Sequence, residues 1–292
     1  MKKIVFLLLI FSTTYSNIFA QNDSIKTSKQ LDFLFFLLEN KQIDDFNFYG
    51  EKILNDTLTS SISLKDSVAI LLGGVNERLK DYKKASQYYD RVSDSSAFYY
   101  KARFTSAILD IEKKKYESAK SKVSEFNEID DVLIHELTIF ELSGLALLKK
   151  DYNGYDSLTK DFNPSTGIIS TEYQQLTLNH DLLLNSKRKS PFVAASLSAL
   201  VPGLGKVYAG KTGQGIAAFL KVVPLGIIAF ENYNKHGYKD AQFIFYSSLF
   251  GLFYIGNIWG SAFSVKVAYI DRTNAINYNI SVGLRIPVDK LF

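Results

Sequence analysis

Between Asp66 and Phe126, apolar and polar positions recur with the period of a helix. Leu71, Leu72, Val75 and Leu79 fall on one stripe of a helical surface, and Ala85, Tyr88, Tyr89 and Val92 fall on another, with Lys80-Asp81-Tyr82 as the turn between them. The pattern then repeats at an offset of 34 residues: Asp81-Tyr82-Lys83-Lys84-Ala85 aligns with Lys115-Tyr116-Glu117-Ser118-Ala119. Beyond residue 190 the pattern changes. Residues 190–205 are uncharged, residues 213–230 are apolar apart from Gln214 and Lys221, with Pro224 as a kink, and residues 241–265 carry no charge. The third stretch is long enough to span a bilayer, the second is borderline, and the first stops short at Pro202-Gly203. At the end, Ile276, Tyr278, Ile280, Val282, Leu284 and Ile286 alternate with polar or small residues, which is a strand period.

In the repeating region a small residue stands twelve positions before each aligned alanine, Gly73 before Ala85 and Ala107 before Ala119. Large residues follow at matching distances, Tyr89 and Val92 in one copy, Val123 and Phe126 in the other. This arrangement resembles the tetratricopeptide repeat, in which small residues let two antiparallel helices approach and large ones fill the gap. Neither copy ends in a proline, and Asn76 stands where a tyrosine is usual. Weaker copies flank the pair. Asp45-Phe46-Asn47-Phe48-Tyr49 echoes the turn, as does Asp151-Tyr152 with Ser143 nine residues before Tyr152. Asn163-Pro164-Ser165-Thr166-Gly167 breaks the pattern before a last helical stretch at residues 171–184. Stacked hairpins need about three units to bury a continuous core, so the expectation is a short α-solenoid of three or four pairs. The resemblance implies a concave groove for a protein partner, lined by Ser67, Ile70, Gly74, Glu77, Lys101, Phe104, Ile108 and Ile111; the apolar members also fit an ordinary core.

The segment Gly205-Lys206-Val207-Tyr208-Ala209-Gly210-Lys211-Thr212-Gly213-Gln214-Gly215-Ile216, preceded by Val201-Pro202-Gly203-Leu204, resembles the signature of the small two-segment transmembrane hairpin family. Ser190-Pro191 and Leu197-Ser198-Ala199-Leu200 are similar to an uncharacterised bacterial variant that can follow helical repeats. The resemblance implies a membrane module whose motif residues are Pro202, Gly203, Gly205, Tyr208, Gly210, Lys211 and Gly215, with no assigned chemistry. The animal version often carries His-Arg-Phe before the tyrosine; Lys206-Val207 departs from that, so nothing receptor-like carries over. Physically, Gly203 and Gly205 permit a tight turn, Gly210, Gly213 and Gly215 permit close helix crossing, and Tyr208 and Lys211 suit headgroup depth. A hairpin entered at Ser190 would put Lys206 and Lys211 across the bilayer from Lys187-Arg188-Lys189. Lys221 lies inside the second apolar stretch, where it either snorkels or marks a transport path.

Charge divides the chain in the same place. Residues 21–186 hold 20 Lys and Arg against 26 Asp and Glu, a net of −6, whereas residues 187–292 hold 12 against 4, a net of +8. The acidic half argues against nucleic acid, and the basic apolar half suits a lipid surface. Lys2 and Lys3, the apolar run at residues 4–11 and the small Ala20 before Gln21 form the zones of a secretory signal peptide. The chain has no cysteine, which removes disulfides and thiol chemistry. His135, His180 and His236 lack metal-type partners at helical spacing, Glu136 and Glu141 are five apart and do not share a face, and no serine stands in a Gly-x-Ser-x-Gly setting. Gly203-Leu204-Gly205-Lys206 lacks the spacing of a phosphate-binding loop, so no nucleotide is expected.

These patterns predict an all-α chain: a short α-solenoid of helical hairpins followed by a helical transmembrane domain of two to three apolar segments. The divisions are a signal peptide at 1–20, a repeat domain at 21–186, a transmembrane domain at 187–274 and a short tail with the period of one strand at 275–292. No enzyme, cofactor or metal is expected. The functional expectation is a membrane-anchored scaffold of the bacterial cell envelope, with its repeats exported to the periplasmic side to bind a protein partner. The alternative is an accessory factor for membrane biogenesis or transport in which the transmembrane module acts directly.

Overall fold

A computed structural model describes residues 25–56 and 61–292; the expected signal peptide at 1–20 lies outside them. The described chain is all-helical. Four hairpins come first: α1 (Ile25–Glu39) with α2 (Ile43–Asn55), α3 (Ile62–Arg78) with α4 (Tyr82–Tyr89), α5 (Tyr99–Glu112) with α6 (Tyr116–Ser124), and α7 (Val132–Leu148) with α8 (Tyr152–Thr159). They are followed by α9 (Gly167–Leu184), α10 (Pro191–Leu200), α11 (Leu204–Tyr208), α12 (Thr212–His236) and α13 (Ala241–Leu291).

One backbone device makes all four hairpin turns. Lys41, Lys80, Lys114 and Lys150 each adopt a left-handed conformation, with φ of 60°, 62°, 58° and 62°. The next amide then reaches back five residues: Gln42 to the Leu37 carbonyl, Asp81 to Asn76, Lys115 to Asp110 and Asp151 to Ala146, at 2.8–2.9 Å. This is the Schellman closure, which satisfies carbonyls that the helix end leaves open. Asp81 and Asp151 also cap the following helix, accepting from the Lys84 and Gly154 amides at 3.1 and 2.9 Å. The first turn therefore lies at Lys41-Gln42. The echo at residues 45–49 is instead the interior of α2, because Asp44 and Asp45 sit in its first turn, where acidic side chains favour the helix dipole.

The described residues up to Val123 form one compact unit. Its core joins Leu34, Phe46, Leu64, Val68, Leu71, Leu72, Ala85, Tyr88, Tyr89 and Leu109. A methyl group on Gly73 would lie 2.7 Å from the Tyr89 ring, so the small residue is required by the aromatic that fills the hairpin. Asn76 is buried and donates to Asn47 Oδ1 at 2.9 Å, linking one hairpin to the next.

Ser124–Phe292 form the second unit, in which α7–α8 and α9 pack with the apolar helices. Its spine is α13, 51 residues and about 76 Å long, which touches α7, α9, α10, α11 and α12. The expected tail strand is the last third of this helix. Every second member of the alternating apolar series is also a member of an i, i+4 series, and it is these that are buried: Ile276, Ile280 and Leu284, continued by Val288. Tyr278 and Val282 are exposed. Leu284 packs directly on Gly144 of α7.

The two acidic residues on α7 have opposite fates. Burial alone would raise the Glu136 carboxyl, but the Ser165 amide and hydroxyl and the Thr166 amide donate to it at 2.6, 2.7 and 3.0 Å and hold it below the usual range. Glu141 is fully buried with neither oxygen bonded, and desolvation pushes it well above the usual range. Below the unfolded pKa near 4.3 both states hold the Glu141 proton. As pH rises towards the raised folded value, folding must take up a proton and loses about 1.4 kcal/mol per pH unit. Glu141→Met removes that penalty. Thermal unfolding in detergent should show the variant stabilised by more at pH 8 than at pH 5; an equal gain at both would mean that Glu141 is not held neutral in the fold.

Candidate functional site

The glycine-rich segment before α12 is a knot that fastens three helices to α13. Chain direction reverses at Gly203, whose φ of 90° suits glycine. The backbones beyond it nearly touch: a Cβ on Gly205 would overlap the Ala194 carbonyl of α10, and one on Gly203 would overlap the Gly215 carbonyl of α12. Gly215 in turn leaves room for Val207, which a methyl there would meet at 2.6 Å. Gly210 ends α11 in a left-handed conformation, φ 89°, and Gly213 has open space around it. Pro202 stands at the turn, partly exposed.

A chain of hydroxyls locks the knot to α13. The Gly205 amide donates to Ser198 Oγ at 2.9 Å, Ser198 donates to Ser261 Oγ at 2.7 Å, and Ser261 donates to the Asn257 carbonyl at 2.8 Å. All three side chains are buried. Nothing in the residue pattern of α13 singles out Ser261 or Asn257; their role follows only from the helix register. The basic residues gather at the same end. Lys189 Nζ donates to the Tyr208 carbonyl at 2.7 Å and lies 5.1 Å from the Tyr208 ring centre, while Lys211 pairs with Asp271 at 3.3 Å. The chain therefore turns back after the ten-residue α10, and Lys211 follows Tyr208 at the Lys189 end rather than across from it.

Both α12 and α13 are long and apolar enough to cross a membrane. Their apolar side chains point outward: Leu220, Ile227 and Phe230 on α12, and Phe245, Leu252, Ile255, Trp259 and Phe263 on α13, are all exposed, Trp259 by 78%. A soluble core helix buries such residues.

The repeat positions are arranged differently from the expected groove. Ile70, Phe104, Ile108 and Ile111 are buried, Ser67 is buried with its hydroxyl on the Ser63 carbonyl, and Glu77 accepts from the Tyr89 hydroxyl. Only Gly74, Glu77 and Lys101 are partly open. The first hairpin carries three exposed phenylalanines, Phe33, Phe36 and Phe48, with the Phe33 ring 6.3 Å from Phe36 and edge-on to Tyr49 at 4.8 Å.

A polar cluster between α4, α5 and α6 brings Ser86, Asp90, Ser106, Asp110, Ser118 and Lys122 together. Lys122 Nζ donates to Ser106 Oγ at 2.6 Å and to Ser86 Oγ at 3.2 Å, a contact that superficially resembles a serine–lysine pair. Its ammonium is also paired with Asp90 at 2.8 Å and Asp110 at 3.0 Å, an arrangement that neutralises buried charge rather than leaving a free base. Burial raises the Asp110 carboxyl, and Lys113, Ser118 and Lys122 outweigh that effect and lower it. Among the histidines, His180 is buried with its ring 4.3 Å from Tyr155, and His135 is exposed.

No family model matches the chain, and no curated protein or solved structure is significantly similar to it.

The knot predicts a contrast between two glycines. Gly205→Ala forces a methyl against the α10 backbone and should cost about 1–3 kcal/mol. Gly213→Ala meets no atom and replaces a poor helix former, so it should be neutral or stabilising by up to ~1 kcal/mol. Melting temperatures in detergent check this. Indistinguishable values for the two variants would contradict the knot.

Proposed function

We propose that the protein is a membrane-anchored scaffold of the bacterial cell envelope, with helical repeats that bind a protein partner outside the cytoplasm. The observation that carries this reading is α13: its first half is apolar and outward-facing, and its last third packs on α7 and α9. A lipid-facing anchor and a repeat hairpin thus belong to one packed unit, which suits a protein that holds its repeats close to a bilayer. The alternation of hairpins with a shared Schellman turn supports the tetratricopeptide-like assignment, and the glycine contacts support the two-segment membrane hairpin.

The reading has a topological consequence. If α12 and the first half of α13 span the bilayer as an antiparallel pair, α13 emerges on the side of α7 and α9, so both ends of the module share one face. Lys187, Arg188, Lys189, Lys211, Lys266 and Arg272 lie at that face, where Lys189 bonds the Tyr208 carbonyl and Lys211 pairs with Asp271. Export of a large domain by a signal peptide overrides the positive-inside tendency, which acts mainly through short loops. The rim then meets lipid phosphates on the outer side. For the partner, the exposed Phe33, Phe36 and Phe48 suit docking better than the buried groove positions, since large exposed aromatics mark contact surfaces.

The absence of cysteine makes the test direct. In intact cells, Lys187→Cys and Lys290→Cys should both react with a maleimide that crosses only the outer membrane, and Tyr238→Cys should react only after permeabilisation. The protein should stay in the pellet through alkaline carbonate. A photo-crosslinker at Phe36 or Phe48 should capture one defined partner that is lost in a Phe33→Asp variant. Release by carbonate, or Lys290→Cys behaving like Tyr238→Cys, would overturn the anchor; no adduct from either aromatic position would overturn the scaffold.

A further inference from the structure

Between α11, α12 and α13 lies a cavity of about 420 Å³ whose polar lining is Lys206, Gln214, Lys221 and Asn257. Three features set it apart from a packing gap. Asn257 is only 5% exposed, yet neither its amide nitrogen nor its amide oxygen has a hydrogen-bond partner. A buried primary amide left unpaired costs free energy, and native proteins rarely leave one without a ligand or water. Next, two ammonium groups share the lining and no carboxylate does. Lys221 has an aromatic neighbour, its Nζ 5.8 Å from the Phe253 ring centre, and Lys206 reaches towards Gly260. Charges within apolar helices normally pair with one another or mark a ligand path. Finally, the cavity opens sideways among outward-facing apolar residues, with Leu252 69% exposed on its wall.

We propose that this cavity is a binding site for the phosphate group of an anionic phospholipid. Two ammonium groups and two amide N–H donors match a phosphodiester, which carries a full negative charge and several acceptor oxygens. The position favours lipid over a free anion. Lys221 is nine residues along α12 from Thr212, about 13 Å, so a headgroup drawn inward from the basic rim meets it while its acyl chains lie along Leu220 and Leu252. A free phosphate would have to leave water and pass an apolar wall. The inference rests on the membrane reading above and adds to it a specific lipid site built around Asn257.

The test uses the full-length protein purified in mild detergent and native mass spectrometry with phosphatidylglycerol, phosphatidylcholine or inorganic phosphate as probe. The wild type should retain one phosphatidylglycerol and discriminate against phosphatidylcholine, and millimolar phosphate should not displace the lipid. Lys206→Gln and Lys221→Gln should each weaken retention about tenfold or more, the loss expected for one charge-assisted hydrogen bond. Asn257→Ala should weaken it as well. Lys211→Gln with Lys266→Gln, which removes rim charge outside the cavity, should leave the site intact. Equal loss from the rim variant would overturn the site in favour of a diffuse basic surface, and phosphate binding in place of lipid would overturn the lipid assignment. Carbonate extraction of the same preparations separates the failures: a pelleted protein that retains no lipid contradicts this inference alone, whereas a released protein contradicts the membrane reading beneath it.

Discussion

A single helix in this protein must satisfy two environments. Over its first 25 residues α13 presents aromatic and branched side chains outward, and from Thr273 onward it presents an ordinary amphipathic stripe to α7 and α9. A helix can do this because all of its backbone hydrogen bonds are internal, so it passes from an outward-facing apolar stretch into a packed helical interface without exposing a peptide group. The rest of the second unit depends on that continuity. The knot at Gly203 and Gly205 is built against its upper half through Ser261, and the third of it that carries Ile280 and Leu284 completes the interface with the last hairpin.

Much of the fold was legible because it rests on local chemistry. The Lys80-Asp81-Tyr82 turn recurs at Lys114 and Lys150 because the left-handed residue and the helix end it closes are encoded within a few positions, and Gly73 is small because the Tyr89 ring fills the space beside it. The apolar helices were legible because length and composition define them. The tail was misleading. Alternation over residues 276–286 satisfies the strand period, yet a four-residue spacing is hidden within every two-residue one, and the continuation of α13 selects the helical set. The segment Asp45–Tyr49 also resembles a turn, but it is helical, and the turn that forms lies earlier, at the left-handed Lys41.

The groove positions illustrate a different limit. Periodicity identifies which side of α3 and α5 is apolar but not whether that side is a binding surface or a core, and Ile70, Phe104, Ile108 and Ile111 are buried. Ser261 and Asn257 carried no signal at all, since each is an isolated polar residue in an apolar run, and Ser198 stood out only as part of Leu197-Ser198-Ala199-Leu200, with no hint of its partner. Their importance comes from the crossing of α10, α11 and α13, a tertiary fact. Glu141 belongs with them: it is an acidic residue on a strongly apolar helix, and only the packing around α7 separates its state from that of Glu136.

The central claim, that one unbroken helix joins the apolar half to the repeat-facing half, is tested most directly by a distance. Spin labels at Trp259→Cys and Tyr278→Cys occupy exposed positions on the two halves, 19 residues apart. A continuous helix separates their backbones by about 28 Å. Pulsed electron paramagnetic resonance on the full-length protein in lipid nanodiscs should give a narrow distribution centred near that value. A broad distribution, or a main peak well below it, would mean that α13 breaks between its two halves.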